Sequence, residues 1–222
     1  GARKGKFDSS GKPQAIPGSN IPLSAAGVLI LWLGWFGFNG GSVLSADPAN
    51  TSLVLVTTCL AAAAGGLGAA LFSGILYKNL DITMFMNGVL GGLVGITAGA
   101  DQMGPTEAII IGIVGGVIVV LGVALLDKCK LDDPVGAIPV HLFAGIWGTL
   151  AVGIFGASAG FDQFMVQLAS VGIVGIFCVV CTFIIGLAVK SIMGLRVSEE
   201  EEEKGLDIAE HGTGAYGDFS MR

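Results

Sequence analysis

Six long apolar segments constrain this chain more than any other feature of its sequence. They contain no Asp, Glu, Lys or Arg, and they cover residues 21–43, 53–77, 82–100, 108–126, 135–159 and 164–189. A helix needs about 20 apolar residues to cross the hydrocarbon core of a bilayer. Only helices and closed barrels satisfy their backbone hydrogen bonds in that environment. The sequence therefore predicts an all-α fold, a polytopic membrane bundle of six transmembrane helices.

The composition excludes several classes of protein. Hydrophobic residues make up 53% of the chain and charged residues 13%, with a mean hydropathy of +0.81, which is outside the range of soluble globular domains. No segment is typical of a soluble enzyme domain, so we expect a protein that is not an enzyme, and we expect no nucleic-acid partner. The chain begins in a basic stretch without an initiator Met or a signal peptide, and we expect an upstream portion.

The positive charges predict the orientation of the bundle. All 11 Lys and Arg residues lie before the first segment, after the second, after the fourth or after the sixth, which places them on one side of the membrane. Loops rich in Lys and Arg stay in the cytoplasm. We therefore expect a multi-pass cell-membrane protein with both termini of this chain cytoplasmic. The predicted parts are a cytoplasmic loop over residues 1–20, the bundle over 21–190 and a cytoplasmic tail over 191–222.

Among Asp, Glu, Lys, Arg and His, the one side chain inside these apolar segments is His141. A polar group in hydrocarbon costs several kcal/mol if it is unpaired, so such a residue is a candidate functional site. The alternative is a histidine that bonds to a neighbouring helix for packing alone. Pro139 lies two residues earlier and is expected to bend the helix near the histidine.

Other features of the chain have simpler interpretations. Glycines three and four residues apart in the third and fourth segments predict closely packed helices. Cys178 and Cys181 lie in an apolar helix that cannot stabilise thiolates, so we predict no metal site and no cofactor. Asp133 precedes a proline at a helix start, as capping residues do. Trp35 and Phe38 belong to an interfacial aromatic belt, to a vestibule that attracts cations or to a hydrophobic gate.

Three motifs and the tail together resemble the ammonium transporter (Amt/Mep/Rh) superfamily, specifically its Amt branch. The motifs occur in the expected order across nearly the whole chain, at residues 34–42 (GWFGFNGGS), 132–137 (DDPVGA) leading to Val140 and His141, and 145–150 (GIWGTL, with Trp147). The tail matches in residues 194–197 (GLRV), 203–207 (EKGLD), 210–212 (EHG) and 215–216 (AY).

The resemblance implies a fold and a set of site residues. Members of the family have eleven spans built from an inverted repeat, and this chain looks like the last six. His141 resembles the second of two adjacent pore histidines, Phe38 the inner of two gating phenylalanines, and Ser42 a hydroxyl at an external ammonium-recruiting site. Trp35 belongs to the same pore group. Asp133, Pro139 and Trp147 are then structural residues near the pore.

The implied function is ammonium transport through a hydrophobic, histidine-lined pore, by a homotrimer in contact with membrane lipid. Asp207, His211 and Tyr216 are expected to belong to a regulatory tail that docks on the inner loops, where a PII-type signal protein can bind. One alternative is a membrane ammonium sensor coupled to cytoplasmic partners, and another is a gas channel of the Rh branch. Pro139 and the pair Leu142 and Phe143 depart from the smaller residues of many relatives.

Overall fold

The structure is a computed structural model of the chain, and it describes residues 1–215. The regular secondary structure of this part of the chain is helical, apart from one isolated antiparallel bridge between Phe7 and Pro13. A π-helical segment, Ile138–Phe143, runs directly into α5. The helices are α1 Ile21–Gly41, α2 Pro48–Tyr77, α3 Ile82–Thr97, α4 Pro105–Lys128, α5 Ala144–Phe155, α6 Phe161–Ile192, α7 Glu199–Lys204 and α8 Leu206–His211.

The predicted all-α membrane bundle is confirmed, with one difference in helix length. Five helices of the described chain are long and apolar enough to span a membrane, when the π-helical segment is counted with α5. The exception is α3, which has 16 residues and would rise about 24 Å at 1.5 Å per residue. Its predicted segment extended to residue 100, but the helix ends at Thr97 and the chain enters a turn.

Local capping explains why other boundaries also differ from the apolar segments. The second helix begins at Pro48 rather than at residue 53, because the side chain of Asp47 accepts a hydrogen bond from the Asn50 backbone N–H. Pro48 then occupies the first turn, where its missing donor costs nothing. Asp81 caps α3 in the same way, through the backbone N–H groups of Thr83 and Met84. The Asp47 cap thus extends α2 beyond its apolar stretch, whereas α3 begins at Ile82 as predicted.

The prediction that Pro139 bends the interior of a long helix is wrong. The helix that contains His141 begins at Ile138, not at residue 135, so Pro139 lies in its first turn. A proline there disrupts no preceding helical turn. Instead the hydrogen bonding widens, because the Ala144 backbone N–H donates to the Pro139 carbonyl five residues earlier, which is the π-helical pattern.

Glycines permit the close approach of α2, α3 and α4, as their spacing predicts. Gly65 on α2 faces the backbone of α3 at Gly88 and Gly92, and a Cβ atom on Gly65 would lie 2.9 Å from the Gly92 Cα. On α4, a Cβ atom on Gly116 would lie 2.9 Å from the Ala69 backbone nitrogen. Real Cβ atoms do not approach so closely, so these helices pack backbone to backbone.

The chain divides into two compact units. Pro22–Val171 forms the first unit, and it contains the buried core. The main cluster of this core consists of Val54, Ala61, Ile96, Ala100, Met103, Ala108, Ile111, Ala151 and Val152. A smaller cluster of Ala62, Val89 and Leu93 packs against aromatic residues that include Trp32 and Trp35. The second unit combines Gly1–Ile21 with the chain from Gly172 onward.

Candidate functional site

The first candidate site is the turn that carries His141. Pro139 and Val140 are buried, whereas His141 and Leu142 are exposed. Within residues 1–215, the His141 imidazole has no hydrogen-bond partner. The π-helical turn therefore directs the imidazole away from the core of its own unit. A neutral imidazole can donate a hydrogen bond at one ring nitrogen and accept one at the other.

Asp133 anchors the start of this turn. Its Oδ1 accepts a hydrogen bond from the Ala137 backbone N–H at 3.0 Å, and its Oδ2 accepts one from the Ile138 N–H at 2.7 Å. Gly136 has φ +75°, a conformation that favours glycine, and a Cβ atom there would lie 2.8 Å from Nδ2 of Asn87 on α3. Backbone N–H groups at the helix start are thereby satisfied, and the chain entering the histidine turn is fixed against α3.

Trp147 anchors the other side of the turn. Its indole Nε1–H donates to the Ile111 carbonyl on α4 at 3.1 Å. The side chain packs against the main core cluster. Trp147 therefore fixes α5 about one and a half turns after His141, and it contributes to the position of the histidine from outside the turn itself.

The second candidate site lies on α1, where the sequence pointed to Trp35, Phe38 and Ser42. The Trp35 and Phe38 rings meet edge to face, with centroids 5.8 Å apart, in the arrangement that aromatic pairs favour. The Ser42 hydroxyl donates to the Phe38 carbonyl at 2.7 Å. Phe38 remains 57% exposed. Trp35 and Phe38 lie in the last two turns of α1, and Ser42 directly follows the end of that helix.

A small cavity of about 130 Å³ adjoins this group, and apart from Ser42 its polar lining was not predicted. Asn39, Ser42, Thr97 and Asp101 contribute the polar lining. Asn39 is buried, and its Nδ2 donates to the Thr58 hydroxyl at 3.0 Å. Asn39 lies within the GWFGFNGGS motif. A polar side chain inside an apolar helix could have identified it as a candidate site residue. Thr97 and Asp101 carry no such signal, because they are close to α1 only in the folded chain.

Thr97 connects α3 to the aromatic pair. Trp35 Nε1–H donates to the Thr97 hydroxyl at 2.8 Å, and that hydroxyl donates to the Leu93 carbonyl at 2.7 Å. These bonds fix the Trp35 ring against α3 and satisfy its polar nitrogen. The aromatic group thus has one fixed member and one exposed member, Phe38.

The tail residues form a charged cluster with the N-terminal segment of their own unit. The Arg196 guanidinium contacts both carboxylate oxygens of Glu202, and it also donates to the Ala2 carbonyl at 2.8 Å. The Lys4 backbone N–H donates to Glu202 at 2.8 Å, and the Lys4 ammonium pairs with Glu203. The Lys4 N–H and the Arg196 guanidinium hold the pKa of Glu202 below its ordinary value.

Asp207 contacts a later part of the tail itself. It accepts a hydrogen bond from the Ala215 backbone N–H at 2.8 Å, which closes the tail on itself. That bond, with a smaller contribution from His211, lowers the pKa of Asp207. His211 is exposed at the end of α8, and Tyr216 lies outside the described residues. Contacts to the N-terminal segment involve Arg196 and Glu202, which the sequence analysis did not single out.

Comparison with known proteins identifies the family. The profile of the Ammonium Transporter Family matches residues 1–216. The chain is 42% identical to the ammonium transporter Amt2 of Archaeoglobus fulgidus, over 99% of this chain and 50% of that protein. Its identity to Amt2 of Methanocaldococcus jannaschii is 39%, over 97% and 51% respectively.

A solved structure named "Sensor Amt Protein" superposes with a TM-score of 0.91 at 34% identity, covering 95% of this chain and 54% of that one. The chain spans about half the length of the curated relatives it matches. The sequence profile and the fold agree over nearly all of its residues, and the chain therefore belongs to the Ammonium Transporter Family.

Proposed function

We propose that this chain forms one side of an ammonium pathway in a membrane transport protein, not an enzyme. The exposed imidazole of His141 carries the proposal. An unpaired polar group that faces lipid costs several kcal/mol, and ionisable residues in membrane segments usually face a pathway or a cavity. The names of the curated relatives, which are ammonium transporters, support ammonium as the substrate.

The proposed pathway begins at Trp35, Phe38 and Ser42. An ammonium ion donates four hydrogen bonds and is attracted to aromatic faces, so hydroxyl and aromatic groups there favour its recruitment over that of K⁺. A cation pays a large desolvation cost in an apolar pore. Deprotonation to NH3 avoids most of that cost, and the His141 imidazole can then bind NH3 or accept and donate the separated proton.

Growth tests the proposed function. The full-length protein should support growth on limiting ammonium in a strain that lacks its own ammonium transporters. Background growth, with the protein present in the membrane at normal abundance, would contradict the proposal.

The rest of the pathway wall is proposed to come from parts of the full-length protein outside this chain. We infer that this chain corresponds to the C-terminal part of the family fold and that the full-length protein is a homotrimer with one pore in each protomer. Among the residues of α1 and α6, only Asn39 is buried. The apolar surfaces of these two helices can then meet lipid or other protein. A monomeric mass in mild detergent would argue against the trimer.

The proposed topology has six membrane crossings with both ends of the chain in the cytoplasm. The segregation of all 11 basic residues supports it. In a variant without its native cysteines, Ala46→Cys and Asp162→Cys should react with a membrane-impermeant thiol reagent added outside intact cells. Lys128→Cys, at the end of α4, is the cytoplasmic control and should react only after the membrane is opened. The reverse pattern of labelling would contradict this topology.

The tail is proposed to regulate the transporter and to offer a surface to a PII-type signal protein. The ordered contacts of Arg196, Glu202 and Asp207 support this role, because a merely solvated charged tail does not need them. Deletion of residues 206–222 from the full-length protein should change ammonium uptake and its response to nitrogen status. Unchanged uptake, unchanged response and unchanged binding of a purified PII-type protein would together show that the tail is inert.

The similarity to the structure named "Sensor Amt Protein" favours a second candidate function, a membrane ammonium sensor. The growth test separates the two functions. A sensor without transport would leave growth at background while ammonium still changed a cytoplasmic output of the protein.

A further inference from the structure

Gly122 on α4 faces the turn that carries His141. A Cβ atom at position 122 would lie 2.8 Å from Cβ of Pro139 and 2.8 Å from Cδ2 of Phe143. Real Cβ atoms do not make contacts this short, so any side chain at position 122 would displace one of these neighbours. Pro139 and Phe143 are the residues two before and two after His141. The absence of a side chain at Gly122 therefore sets how closely the turn that carries His141 can approach α4.

Pro139 has little freedom to move away. It is buried, its φ is fixed by the ring, and the backbone immediately before it is held by the two hydrogen bonds to Asp133. Val140, the next residue, is only 2% exposed. A displacement at Pro139 must therefore move the backbone of the turn, and the Cα–Cβ direction of His141 moves with it.

The far side of the turn is also held. Ala144 is fully buried, and its N–H donates to the Pro139 carbonyl. Trp147 is bonded to α4 through the Ile111 carbonyl. Because both sides are fixed, a shift of the middle of the turn changes the orientation of the His141 side chain rather than translating the whole helix. Such π-helical turns occur frequently at functional sites.

We propose that Gly122 is a positioning residue for His141. The missing side chain at position 122 lets Pro139 and Phe143 pack against α4, and this contact maintains the π-helical turn that exposes the imidazole. The proposal rests on the proposed function of His141 in the ammonium pathway. Gly122 itself touches no substrate and acts through the turn.

The first measurement is uptake of labelled methylammonium by the full-length Gly122→Ala variant. Misplacing a working group by about 1 Å can cost on the order of 100-fold in rate, so we expect uptake to fall roughly 10- to 100-fold at equal abundance in the membrane. Gly145→Ala is the matched control on α5. A Cβ atom there meets only Cγ1 of Val94, at 3.7 Å, and its uptake should stay near that of the parent protein.

A second measurement reports the orientation of position 141 without relying on transport. In a variant without its native cysteines, His141→Cys is labelled with a small water-soluble thiol reagent, and the rate is compared with and without Gly122→Ala. We expect the rate to change several-fold, whereas Gly145→Ala should leave it unchanged. If Gly122→Ala does not insert, Phe143→Ala removes the same contact from the other side and should also change the rate.

The outcomes separate this proposal from the function on which it rests. Labelling and uptake that are the same in the Gly122→Ala and Gly145→Ala variants would overturn the positioning role and leave the transport function intact. An unchanged labelling rate in the Phe143→Ala variant would also overturn it. A parent protein that transports no ammonium would overturn the transport function, while the labelling rates would still report whether Gly122 orients position 141.

Discussion

Replacement of His141 by alanine in the full-length protein is expected to reduce methylammonium uptake by roughly 100-fold, or to let K⁺ through, while the protein still inserts. A positioned group that transfers a proton contributes on the order of 10²- to 10⁴-fold in rate. His141 is exposed and makes no hydrogen bond to the described part of the chain, so its removal leaves no buried partner unsatisfied there. The loss should therefore fall on transport rather than on stability.

His141→Gln provides the matched comparison, because an amide can still donate and accept hydrogen bonds but cannot relay a proton. We expect it to discriminate against K⁺ better than His141→Ala does. The measurements are initial uptake of labelled methylammonium and K⁺ permeability at equal membrane abundance. Parent-level uptake by His141→Ala, with K⁺ still excluded, would show that the histidine serves packing alone.

Replacement of Gly92 by leucine is expected to prevent the bundle from folding. A Cβ atom at this position would overlap the Ala61 carbonyl oxygen and would lie 3.2 Å from the Gly65 Cα. Both neighbours are backbone of α2, which cannot rotate away as a side chain can. Overpacking a core ordinarily costs about 1–3 kcal/mol, and a leucine against backbone should exceed that range. Size-exclusion chromatography in mild detergent should show no monodisperse peak.

Gly175→Leu on α6 is the control for bulk alone. A Cβ atom at Gly175 meets nothing within 4 Å, so this variant should elute like the parent protein. An elution peak and a thermal stability of Gly92→Leu like those of the parent protein would contradict the close backbone contact between α2 and α3.

Much of the fold follows from the sequence because the bilayer imposes a simple rule on span length. The apolar segments and the glycine spacing predicted the long helices and their close packing. Boundaries were less accurate, since hydropathy does not register a cap such as Asp47, which starts α2 five residues before its predicted apolar segment. For the same reason, the sequence placed Pro139 well inside a helix that began at residue 135. The helix begins at Ile138, so Pro139 is its second residue.

The candidate sites were predicted less completely. His141 was evident as an ionisable residue in an apolar segment, and Trp35, Phe38 and Ser42 share one motif. The contact of Gly122 with Pro139 joins residues on different helices, so no local pattern indicates it. The Ala2 and Lys4 contacts with Arg196 and Glu202 join the two ends of the chain. Contacts between distant parts of a sequence appear only in the folded protein.

Flux through the purified protein tests the central claim most directly. The full-length protein, reconstituted in vesicles, should admit labelled methylammonium at an acidic external pH, where little of it is in the membrane-permeable neutral form. Vesicles with the parent protein should accumulate label faster than protein-free vesicles, and excess ammonium should suppress the uptake whereas K⁺ should not. If the reconstituted protein elutes as a monodisperse peak and uptake still equals that of protein-free vesicles, an ammonium pathway through this fold would be contradicted.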